Sequence, residues 1–163
     1  LLFAPIKKAR TDFIVEKAAE MGVARICPVL TEYTNSERIR RARLQAHAIA
    51  AAEQCGNTFV PEVTDLAPLA RILSDWPSDR RLIFADEARV GEVNRMPAPE
   101  ASVTRDPWAE LLGPEGGFSP AARSRLTAMP QVQVISLGPR LLRADTAAVA
   151  ALTLFQASLG DWR

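Results

Sequence analysis

The chain has 163 residues, of which 48% are hydrophobic and 24% charged, and its formal net charge is +1. That length fits one domain with a buried core, and that composition excludes disordered and collagen-like chains. No run approaches the roughly 20 apolar residues of a membrane span. Cys27, Cys55 and the one histidine, His47, exclude a four-ligand zinc site and a disulfide framework, so no metal and a reducing, cytoplasmic compartment are expected. Only Lys7, Lys8 and Lys17 of the 20 basic residues are lysine. Arginine grips phosphate and carboxylate bidentately, although genomic base composition explains the same bias in an alanine-rich chain.

Leu1 to Ile6 is a short apolar run that reads as a buried strand already under way, so the chain is expected to be the C-terminal part of something longer. Lys7, Lys8 and Arg10 follow as a basic turn. Thr11 is expected to cap a helix from Asp12 to Met21 that Gly22 stops. Arg25 to Leu30 reads as a strand in which Pro28 favours an edge position or a strand end. Ser36 to Cys55 is the longest helical pattern, ended by Gly56. Thr58 to Val63 predicts a strand, Pro68 to Trp76 a short helix, and Arg81 to Ala85 a central parallel strand. Residues 86–106 read as a long loop. Trp108 to Leu112 predicts a strand that leads to Ser119 and Pro120, an N-cap followed by proline at the first helical position. That helix is expected to end near Met129. Val132 to Leu137 reads as a strand. Thr146 to Leu159 predicts a nearly uncharged, largely buried helix capped by Asp145 or Thr146. This alternation points to an α/β fold, a mostly parallel sheet with helices on both faces.

The glycine fingerprints of dinucleotide-binding and P-loop proteins are absent, as is the serine elbow of hydrolases. His47, mid-helix among alanines, reads as a filler rather than a catalyst. Two loops remain at strand ends. Gly113-Pro114-Glu115-Gly116-Gly117 lets backbone N–H groups approach a ligand, or simply turns the chain. The second loop holds Arg140 and Arg143 in apolar surroundings before Asp145, and a charge there needs a partner or an anionic ligand. Ligands of open parallel sheets sit beyond the carboxyl ends of the strands, where both loops fall. Lys7, Lys8 and Arg10, with Arg38, Arg40, Arg41 and Arg43 on one helix, form either a solvated face or a set of RNA phosphate contacts, and Arg140 adds a further cation.

L-L-G-P-E-G-G-F-S (111–119) and S-L-G-P-R-L-L-R-A-D-T-A (136–147) closely resemble the two signature loops of the RsmE family. These are 16S ribosomal RNA uracil-N3 methyltransferases of the SPOUT superfamily. F-A-P-I-K-K-A-R (3–10), E-K-A-A-E-M-G-V (16–23), A-A-E-Q-C-G (51–56) and V-P-E-V (60–63) extend the likeness over nearly the whole chain. The resemblance implies a SPOUT fold with a C-terminal deep trefoil knot, a homodimer, and an N-terminal PUA-like RNA-binding domain that this chain lacks. It implies S-adenosyl-L-methionine as cofactor and 16S rRNA of the small ribosomal subunit as partner. Cofactor contacts are implied for Ala85, Glu87, Leu112, Gly113, Pro114, Glu115, Gly116, Leu137, Gly138, Leu142, Arg143, Thr146 and Ala147. Asp145 stands where the family usually has Glu, and Asn57 where an Arg is common.

Methylating uracil N3 requires loss of the N3 proton, so a base or an oxyanion stabiliser is expected. Arg143 is the candidate stabiliser, and Asp145 or Glu115 would accept the proton or hold Arg143. A SPOUT ribose 2′-O-methyltransferase and a non-catalytic RNA-binding module are the alternatives. The first differs in the modified nucleoside, the second in binding no cofactor.

Overall fold

The structure, a computed structural model, describes residues 1–35, 38–92, 96 and 107–162. Ser36 and most of the expected loop 86–106 therefore lie outside the described residues. Among the described residues, five α-helices and seven short strands follow one another in a largely alternating order. β1 (Leu2–Phe3), β2 (Arg25–Leu30), β3 (Glu62–Val63), β5 (Arg81–Ala85), β6 (Trp108–Leu112) and β7 (Val132–Ile135) form a sheet of order β3-β2-β1-β6-β5-β7, with β4 (Ala67–Pro68) also on β2. Every pairing is parallel.

α1 (Lys8–Glu20), α2 (Arg41–Cys55) and α5 (Ala144–Ser158) cover one face, and α3 (Leu69–Ser74) and α4 (Pro120–Ala128) the other. Strand side chains alternate between the two. Ile83 and Leu112 join Ile14, Leu44 and Ala148 under the first layer, whereas Leu82, Phe84 and Leu111 join Leu73, Phe118 and Leu126 under the second. Phe84 and Phe118 meet edge to face, ring centroids 4.8 Å apart.

The expected strands Thr58–Val63 and Val132–Leu137 shorten to Glu62–Val63 and Val132–Ile135, and three expected helix starts shift for local reasons. α1 begins at Lys8, because Thr11 faces inward: its Oγ1 donates to Ile6 O and accepts from Ile6 N, both at 3.0 Å. Thr11 is thus not a cap, and the expected basic turn is the first turn of the helix. α2 starts at Arg41, so Arg38 and Arg40 precede the helix. Arg143 occupies the N-cap of α5, and Asp145 instead accepts from Thr146 N within the first turn.

Pro28 does not mark an edge, since β2 has neighbours on both sides. Cys27 N donates to Leu1 O toward β1, so the Pro28 nitrogen faces away from β1. There β3 pairs with Arg25 and Ile26, and β4 with Val29 and Leu30, leaving a gap where the missing donor falls. The α5 helix is less covered than expected: Thr146 and Leu154 are exposed, and Ala147, Val149, Ala150 and Phe155 half-buried. No described helix is long and apolar enough to cross a membrane.

Candidate active site

Because the strands are parallel, the ends of the adjacent strands β6, β5 and β7 open on the same edge of the sheet. β6 leads to Gly113, β5 to Asp86 and β7 to Ser136. Between the loops that follow lies a cavity of about 580 Å³, within the usual range for small-molecule sites.

Each wall has a local cause. After β6, Gly117 adopts φ 70° and donates to Pro114 O at 2.9 Å, closing a tight turn. A Cβ at Gly117 would collide with the Glu87 carboxylate. Phe118 N donates to Glu87 Oε1 at 3.0 Å, and Arg123 on α4 also holds Glu87. Ser119 Oγ then accepts from Ala122 N at 3.1 Å, the expected N-cap with Pro120 behind it. After β5, Asp86 is buried, takes two bonds from Arg123 Nε at 2.9 and 3.0 Å, and caps a 3-10 turn over Glu87–Arg89. After β7, Gly138 adopts φ 111°, which only glycine enters readily, and its carbonyl accepts from Gly91 N at 3.1 Å. That bond carries Val90 into the cavity wall.

Of the thirteen residues expected at the cofactor, all line the cavity except Gly138 and Thr146. Gly138 shapes the turn from behind, and Thr146 points outward from α5. Asp86, at the strand end expected to supply a wall, lines it too, and Val90, Leu141 and Arg10 line it without having been expected there. Arg10 matters most. Its Nη1 donates to Glu115 Oε1 at 3.3 Å, and its Nε lies 3.7 Å from Asp145 Oδ2. The two acids are therefore tied to Arg10 on α1, not to Arg143. Arg143 and Arg140 line the cavity with exposed side chains and make no ion pair among the described residues. Leu141, 71% exposed, forms an apolar lip between them.

The expected RNA contacts divide. Arg41 Nε donates to Val63 O at 2.7 Å, and Arg43 pairs with Asp12 on α1. Both stitch α2 to its neighbours, Arg43 from a half-buried position and Arg41 through Nε while its side chain stays exposed. His47 likewise sits between α1 and α2, its Nδ1 2.7 Å from Glu16 Oε1. Lys8, Arg38 and Arg40 border a separate notch. Among the described residues no group of three His, Cys, Asp or Glu side chains is placed to hold a metal ion.

A parallel sheet with a glycine-turned pocket at the carboxyl ends of its strands is the arrangement by which open α/β domains bind a small-molecule ligand. Residues 1–156 match the RNA methyltransferase domain family, to which the chain belongs. Ribosomal RNA small subunit methyltransferase E of Buchnera aphidicola is 27% identical over 164 residues, covering 95% of this chain and 63% of that protein. The crystal structure of the Neisseria gonorrhoeae ribosomal RNA small subunit methyltransferase E, bound to S-adenosyl methionine, superimposes with a TM-score of 0.84 at 30% identity. It covers 99% of this chain and 67% of that one. The A. aeolicus TrmH/SpoU tRNA modifying enzyme shares the fold at 14% identity and a TM-score of 0.52, over 96% of this chain and 73% of that one. The chain spans about three fifths of the length of the curated relatives it matches.

Proposed function

We propose that this chain carries the catalytic site of an S-adenosylmethionine-dependent methyltransferase that modifies N3 of a decoding-site uridine in 16S rRNA, in the cytoplasm. The observation that carries this reading is the convergence of the Gly113–Gly117 turn, Arg10 and the free Arg143 on one cavity. The cavity suits the cofactor. Leu112, Leu137, Leu142 and Ala147 supply an apolar wall for an adenine ring, and the glycine turn exposes backbone to the polar end. Once bound, the cofactor supplies an electrophilic methyl group.

The protein side of the reaction follows from charge and position. Uracil N3 cannot attack while its proton occupies the lone pair. Glu115 lines the cavity and Asp145 does not, so Glu115 takes the N3 proton on a carboxylate oxygen while Asp145 helps to hold Arg10. Negative charge then spreads onto uracil O2 and O4. Arg143, with no carboxylate of its own, offers its guanidinium donors to that charge. Holding nitrogen and methyl in line does the rest. We further propose a homodimer that covers the uncharged outer face of α5 and a knotted C-terminal segment, as in the SPOUT superfamily that the sequence resembles.

Incubating the protein with unmodified small ribosomal subunits and labelled cofactor, then digesting the RNA to nucleosides, tests the reading. N3-methyluridine is the expected product. A ribose-methylated nucleoside would replace the uracil assignment with 2′-O-methylation, and no labelled nucleoside would remove it.

A further inference from the structure

Outside the candidate active site, three described cations converge on one concave place. A notch of about 330 Å³ opens between the first turn of α1 and the segment that enters α2. Lys8, Arg38 and Arg40 border it, all exposed and none in an ion pair with a described residue, while Arg43 on its wall is neutralised by Asp12. Its floor is apolar, from Ile6, Ile39 and Leu44. Three like charges around one concave space give it a positive potential that attracts an anion. Guanidinium groups supply forked donors for phosphate oxygens. Lys8 and Arg10 stand two residues apart on one helical turn and so point to different sides of it. Lys8 faces the notch and Arg10 faces the methyl-transfer cavity. One helix width, about 10 Å, separates the two sites.

We infer that the Lys8–Arg38–Arg40 notch is a phosphodiester-binding site that grips the backbone of the substrate strand beside the nucleotide whose base enters the cavity. This rests on the methyltransferase reading for the base, not for the phosphate. In this arrangement the notch fixes the strand and the cavity reads the base. Arg41 does not line the notch and Arg43, on its wall, is engaged by Asp12, so neither takes part.

The probe is a fluorescent 12-nucleotide oligouridylate, titrated between 50 and 200 mM KCl, with S-adenosylmethionine binding measured on the same samples. Each single-strand phosphate contact adds about 0.7 to the slope of log affinity against log salt. The triple variant Lys8→Gln, Arg38→Gln, Arg40→Gln is expected to lose about 2 from that slope and to keep its cofactor affinity. Arg40 is the N-cap of α2, so the double variant Lys8→Gln, Arg38→Gln, which spares it, is expected to lose about 1.4. Arg125→Ala, an exposed arginine on α4, should leave the slope unchanged. An unchanged slope in the double variant, an equal loss with Arg125→Ala, or no oligouridylate binding by the parent at 50 mM KCl would each overturn the notch. Loss of slope in the double variant with no cofactor binding by the parent would keep the phosphate site and overturn the methyltransferase reading instead.

Discussion

Replacing Arg143 with Ala is expected to slow methyl transfer by about 100-fold or more while S-adenosylmethionine affinity changes by less than about threefold. The expectation follows from where the charge is. Glu115 and Asp145 are both engaged by Arg10, so the acids lose no partner when Arg143 is shortened. The Arg143 backbone still caps α5, since that cap involves no side-chain bond. What is lost is a free guanidinium at the cavity mouth, an interaction needed only as negative charge develops on the base. Arg143→Lys should recover part of the rate, because it keeps the charge and loses the planar fork. Single-turnover rates at saturating cofactor, set beside calorimetric affinities, separate the two effects. Equal losses in rate and cofactor affinity would reassign Arg143 to cofactor binding.

Glu110→Gln is expected to make the protein more stable above neutral pH, by up to about 3 kcal/mol. Glu110 sits within β6, 4% exposed, and neither carboxylate oxygen has a hydrogen-bond partner. Burial pushes its pKa from 4.5 up to about 7, and the nearby Leu1 ammonium pulls only weakly the other way. The fold therefore holds a proton that the unfolded chain releases. Stability is undiminished below pH 4.5, falls as the pH rises from 4.5 to about 7, and is flat beyond. The amide of Gln carries no charge and has no such fall. Burial lowers the pKa of the Leu1 ammonium and Glu110 raises it, so the comparison of the two proteins reads Glu110 together with its coupling to Leu1. Thermal midpoints at pH 5 and pH 8 should agree within about 2 °C for the two proteins at the lower pH and separate by roughly 6–12 °C at the higher. A constant separation at both pH values would mean that Glu110 stays ionised in the fold.

The parts of this architecture that depend on near neighbours are readable from the sequence. Arg25–Leu30, Arg81–Ala85 and Trp108–Leu112 are apolar runs bounded by turn residues, and each is a strand over the expected span. Ser119 and Pro120 start α4 because cap chemistry is local. The two glycine-proline loops mark the cavity for the same reason. Long-range contacts have no such signal. Arg123 reaches Asp86 and Glu87 from 37 and 36 residues away. Arg10 reaches Glu115 across 105. Arg10 reads as one more cation in a basic run, and only folding α1 against the loops turns it into the partner of both acids. Arg41 and Arg43 read as part of an RNA-facing stripe for the converse reason, since their acceptors, Val63 O and Asp12, lie on other elements. Glu110 is hidden within a strand pattern whose neighbours are all apolar, and its burial is a property of the sheet and not of the run.

Calorimetric titration of the protein with S-adenosylmethionine tests the central claim most directly. One saturable site per chain with micromolar affinity, about −8 kcal/mol, that is lost when Gly117→Ala forces a side chain against Glu87, is the predicted result. A folded protein that takes up no S-adenosylmethionine would contradict the account.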